Sequence, residues 1–195
     1  MNEFKNNLDD DLVMREVKLW LEKAVIGLNL CPFAKSVYVK QQIRFVVSHA
    51  STVESLLTDL IVQLQYLAEV DPGLIDTTLL IHPLVLQDFL DYNDFLDLAD
   101  QVLVHHGWEG EFQIASFHPA YQFAGSDVNS IENYTNRSPW PMLHLLREAS
   151  IEKAVDAFPD AAEIYERNMT TMQNLGPTGW ASLFREELFK DELPD

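Results

Sequence analysis

The chain is poor in cysteine, in cations and in long apolar runs, and each shortage excludes something. One cysteine, Cys31, in 195 residues rules out an internal disulfide and leaves a free thiol. That usage suits a reducing, cytoplasmic setting. Only 13 Lys and Arg stand against 31 Asp and Glu, a net charge of −18. Nucleic acid is held by clustered Lys and Arg, so no nucleic-acid partner is expected. An anionic membrane surface is disfavoured on the same ground. No window approaches the roughly 20 apolar residues of a membrane-spanning helix. The N-terminus lacks a basic region followed by an apolar stretch, so no secretory signal is expected.

Several catalytic signatures are also missing. There is no Walker A loop, no G-x-G-x-x-G, no G-x-S-x-G, no H-E-x-x-H and no C-x-x-C. Nucleotide, dinucleotide, hydrolase-elbow and zincin readings are therefore weak. What remains is an ordinary core-forming composition, with 47% hydrophobic and 11% aromatic residues. No linker or low-complexity tract divides it. One domain over residues 1–195 is expected, with 1–10 flexible and 139–195 a helical extension packed on the same core.

Carboxylates at Asp9–Asp11 suit a helix start. Val13, Val17, Trp20, Ala24 and Leu28 then recur three and four apart, an amphipathic stripe. Residues 43–49 (IRFVVSH) read as a strand. Ser51 and Glu54 suggest a capping box for a second helix. Residues 77–82 (TTLLIH) read as a strand covered on both faces. A third helix is expected from Leu86 to His105, with its aspartates on the solvated side. Residues 112–118 (FQIASFH) make a third strand, and everything beyond 138 reads as helical, including Pro139–Ser150. The alternation predicts an α/β three-layer sandwich around a small parallel or mixed sheet of three to five strands. A ferredoxin-like α+β fold is the alternative.

Each proposed strand ends on histidine: His49, His82 and His118. In a parallel sheet these ends share the edge where open α/β sheets bind ligands. Three imidazoles there could hold a divalent metal. A second constellation is Asn136-Arg137-Ser138-Pro139-Trp140-Pro141 followed by His144, Arg147 and Glu148. Read as a helix capped by Ser138 with Pro139 at its first position, it carries Arg137, His144 and Glu148 on one face, with Arg147 beside them. That makes a candidate anion-binding site for phosphate or carboxylate. The third is Asn29-Leu30-Cys31-Pro32-Phe33-Ala34, where Cys31 would sit at an N-cap-like position.

These blocks, together with Ser116-Phe117-His118-Pro119, resemble an uncharacterised bacterial family, domain of unknown function 1415. The resemblance runs from about Val13 to Gly176. It implies a stand-alone soluble domain and no established activity. Its blocks include Cys31, His118, Arg137, His144, Arg147 and Glu148, while His49 and His82 lie outside them.

The leading expectation is an enzyme for a small anionic substrate. Cys31, His118, His144 and Glu148 would be catalytic, with Cys31 as nucleophile. Asn136, Arg137, Ser138 and Arg147 would bind the anion. One alternative is a metal- or cofactor-binding protein using Cys31, His118 and His144 as ligands to a divalent ion. Another is an acidic interaction module that docks a basic partner. Oligomeric state is open.

Overall fold

The computed structural model describes residues 8–157 and 163–184. Helix α1 (Asp10–Trp20) begins where the aspartates suggest, with the Asp9 carboxylate accepting from the amides of Asp11 and Leu12. A π-helical turn, Leu21–Ile26, continues it. The wider turn shifts the phase of the stripe. Val13, Val17, Trp20 and Ala24 stay buried, while Leu28 lies past the helix end and is only partly covered. A short helix α2 (Ala34–Val39) leads into strand β1 (Ile43–Val47). Helix α3 (Val53–Glu69) follows, and its capping box is Thr52 with Ser55 rather than Ser51 with Glu54. Strand β2 (Thr77–Ile81) is buried throughout, as a strand covered on both faces should be. Helix α4 (Phe89–His106) uses Asp88 as its cap, while Asp91, Asp94, Asp97 and Asp100 are exposed. It stops at Gly107, whose φ of 73° is left-handed and suits glycine.

Strand β3 (Phe112–Phe117) and a 3₁₀ turn (Ile131–Thr135) come next. The main correction lies after them. Residues Met142–Arg147, expected to be helical, form strand β4. The sheet order is β1-β2-β4-β3. β1 and β2 are parallel, and β4 runs antiparallel to both β2 and β3. The first three strands therefore point one way, with β4 inserted in reverse. Helices α5 (Glu148–Asp156) and α6 (Ile164–Ser182) follow, α6 kinking at Gly176-Pro177. The C-terminal region is thus a central strand plus helices, not a purely helical extension. Residues 1–7, 158–162 and 185–195 lie outside the described part, so the expected flexibility of 1–10 falls largely outside it.

Side chains alternate across the sheet and feed two cores. One face carries Leu80, Leu143, Leu145 and Phe112 against α3 and α4. The other carries Leu79, Ile81 and Met142 against α1, its π-helical extension and Trp180 of α6. This is the three-layer α/β sandwich with a mixed sheet. Helices on both faces and the parallel β1–β2 pair set the ferredoxin-like alternative aside.

Candidate functional site

The alternation also sorts the candidate residues. His118 follows β3 in phase with Phe112, on the α3/α4 side. It packs against Phe89 and Tyr92, with ring centroids 5.5 and 5.0 Å away. Its Nε2–H donates to the Leu86 carbonyl at 3.2 Å, and its Nδ1 accepts from the Ala120 amide at 3.0 Å. Leu86 presents that carbonyl from a left-handed φ of 57°. Burial lowers the His118 pKa against the pull of the hydrogen bond to the Leu86 carbonyl. Both ring nitrogens are occupied by backbone, so the ring is a bracket for the loop that follows β3.

His82 is wholly buried on the same side. Its Nδ1–H donates to Val85 at 3.1 Å, its ring stacks on Tyr92, and its Nε2 has no partner. Burial pushes its pKa down to about 4. His49 is exposed and meets Asp10 at 3.0 Å. The three histidines do lie at one edge, because β1, β2 and β3 run in the same direction. His82 and His118 both pack on Tyr92 while His49 stands apart, and among the described residues no group of three His, Cys, Asp or Glu is placed to hold a metal.

The two arginines part company as well. β4 separates them by its length of roughly 17 Å, six residues at strand rise. Arg137 precedes β4. Its guanidinium donates to the carbonyls of Tyr121 (3.2 Å) and Val128 (2.7 Å) and lies over the Tyr134 ring. Asn136 donates to Ser116, and Ser138 donates to the Trp140 carbonyl rather than capping a helix. This motif therefore ties the 119–137 loop to the strand edge. Arg147, at the far end of β4, is buried. It donates to the carbonyls of Leu67 (2.5 Å), Val70 (3.0 Å) and Ile75 (3.3 Å), closing the C-terminal end of α3. Glu148 starts α5, and its amide donates to Glu111. The expected row of Arg, His, Arg and Glu needed a helix, and a strand breaks it up.

His144 has the opposite fate. In β4 it lies between Leu79 of β2 and Ala115 of β3, and it points to the α1 side. There it walls a cavity of about 380 Å³, together with Cys31. That volume lies in the usual range for small-molecule sites. The small side chain of Ala115 leaves part of the room. The other walls are mainly apolar, from Trp20, Val25, Phe33 and Leu79. Cys31 reaches the cavity from the loop after the π-helical turn. It sits two residues before Phe33, the residue that precedes α2, so the N-cap-like placement is not observed.

The His144 tautomer follows from its neighbours. Thr77 Oγ1 lies 2.6 Å from the Leu145 carbonyl and 2.7 Å from His144 Nε2. The carbonyl can only accept, so the single Thr77 hydroxyl proton goes there. Thr77 must then accept from His144 Nε2–H. The lone pair is therefore on Nδ1, which has no hydrogen-bond partner among the described residues and is not sealed from the cavity. Burial pushes the pKa of this ring down to about 4, so it is neutral at pH 7. Asp76, which accepts from Ser150 Oγ at 2.6 Å, is the carboxylate on the cavity wall. Sequence reasoning missed Thr77, Asp76 and Ser150. The available signal for Thr77 was a hydroxyl inside a strand buried on both faces, where it needs a partner; Thr78 beside it finds none, and Asp76 and Ser150 carried no signal.

A family model described as protein of unknown function (DUF1415) matches residues 12–182. No curated protein and no solved structure matches the chain.

Proposed function

The chain belongs to the DUF1415 family, and we propose that it is an enzyme of acyl-transfer type acting on a small, largely apolar substrate. The observation that carries this reading is that Cys31 and His144 wall one cavity. Cys31 is the nucleophile and His144 the proton acceptor. Thr77 fixes the imidazole with Nδ1 free, the role of the third group in a nucleophile–base–orienter arrangement. The thiol proton passes to Nδ1 as sulfur attacks the carbonyl carbon. The imidazolium formed in this mainly apolar cavity is a strong acid and hands that proton to the leaving group. An acceptor alcohol, amine or thiol, deprotonated in turn by Nδ1, then takes the acyl group from sulfur, and the proton returns to restore the Cys31 thiol. Glu148, His118, Arg137 and Arg147 take no part, since each is engaged elsewhere or lies off the cavity. A reducing cytoplasm is the setting in which Cys31 stays a free thiol. No helix among the described residues is long and apolar enough to cross a membrane.

The test is acylation by a neutral activated ester such as p-nitrophenyl butyrate. Intact-mass analysis should show one acyl adduct, mapped to Cys31 and missing in Cys31→Ser. His144→Ala should slow its formation by roughly a hundredfold or more. An adduct rate unchanged by His144→Ala would remove the histidine from the mechanism. No adduct with any ester would leave the cavity without this chemistry.

A further inference from the structure

Beside the inner cavity is an outer pocket of about 500 Å³. The two lie side by side, with Phe33, Val37, Asp76, Ser150 and Ala154 lining both, and these residues make the boundary at which a ligand would pass from one to the other. The walls differ in kind. The inner cavity has no Lys or Arg, while the outer pocket has Lys40 at the end of α2 and Lys153 on α5, both exposed. Asp76 is the one carboxylate among the residues lining either space. The lining thus carries two ammonium groups against one carboxylate, in a chain of net charge −18, although Glu152 and Asp156 flank Lys153 on α5. Cys31 lines the inner side, and its neighbours Pro32 and Phe33 line the outer side. The thiol residue is thus on the inner side, one and two residues along the chain from lining residues of the outer pocket.

The geometry points to an amphipathic anion as the ligand: an apolar chain in the inner cavity and an anionic head in the outer pocket between Lys40 and Lys153. This rests on the reading of the Cys31–His144 cavity as the reaction centre and gives that reaction its substrate class, an apolar acyl chain joined to an anionic leaving group. The bond broken lies at the boundary. The sulfur–carbon bond forms inside, and the head leaves toward the lysines with the proton from His144. Attraction of the head by two exposed ammonium groups is screened by salt, so the preference for anions weakens as ionic strength rises.

The experiment is equilibrium binding to the full chain carrying Cys31→Ser, which separates binding from chemistry. The probes are octanoate, octyl phosphate, octanol and octylammonium. The expected result is that at least one anion binds roughly tenfold tighter than octanol, and octylammonium binds weakest. Comparing the carboxylate with the phosphate identifies the head. The double variant Lys40→Gln, Lys153→Gln should bring the anion down to the level of octanol and leave octanol unchanged. Asp76→Asn should strengthen anion binding. Equal affinity for octanol and both anions, or no effect of the lysine pair, overturns the inference while leaving the cavity reading intact. No binding by any probe overturns it as well. Selective anion binding by a protein whose Cys31 is never acylated upholds the ligand class and removes the acyl-transfer reading instead.

Discussion

His118 and His144 show how little a residue type decides by itself. Both stand in sequence blocks that look functional, and both lie in or beside strands. His118 has each nitrogen committed to backbone. His144 has one nitrogen held by Thr77 and the other open to a cavity. Chemistry needs the second arrangement. Cys31 and His144 were recognisable in the sequence as reactive groups, but their place on the walls of one cavity was not, because it depends on which way a strand residue points. Arg147 makes the same point from the other side. Its guanidinium supports three carbonyls, two at the end of α3 and one just before β2, so its removal should cost stability and not reactivity. Arg147→Met should destabilise the fold by about 3 kcal/mol, because carbonyls and packing that it satisfied are stranded. Urea denaturation measures this. Acylation of Cys31 by p-nitrophenyl butyrate should proceed at the parent rate below the transition. A large loss of rate with unchanged stability would return Arg147 to the substrate.

At the scale of elements, sequence reasoning located the first three strands to within one or two residues and misread β4. The reasons are physical. Residues 142–147 (MLHLLR) contain no β-branched residue, and Met, Leu and Arg are good helix formers. The strand is central and covered on both faces, so no polar–apolar alternation marks it. Tertiary pairing with β2 and β3 overrides the local preference. Pro139 and Pro141 were the signal available, since each holds its preceding residue extended. The α3 start was misplaced by one residue for a smaller reason, because both Ser51 and Thr52 can cap. The structure distinguishes them: the Thr52 Oγ1 accepts from the Ser55 amide at 3.2 Å. Thr52→Ala should therefore lower stability by about 1 kcal/mol, while Ser51→Ala stays within about 0.5 kcal/mol of the parent. The midpoints of two urea curves decide it, and equal effects would put the cap back at Ser51.

At the scale of the whole molecule, acid acts through two opposing effects. A chain of charge −18 and pI near 4.5 loses self-repulsion as its carboxylates protonate, which favours the compact state. The buried histidines work the other way. His82 is held neutral with its pKa near 4, against 6.5 when unfolded, and His144 is displaced in the same direction. The unfolded chain therefore binds more protons than the folded one between those values, and stability falls as pH falls through that window. The histidine effect comes first, because carboxylates titrate mostly below pH 5. From pH 6.5 to 5, His82 alone should remove about 1.5 kcal/mol, and His144, which faces a cavity rather than packed protein, should add less. Urea denaturation at the two pH values should show the drop, and His82→Gln should reduce it by about half or more. A parent protein as stable at pH 5 as at pH 6.5 would mean that charge relief dominates and that the buried rings are not the acid-sensitive part of this fold.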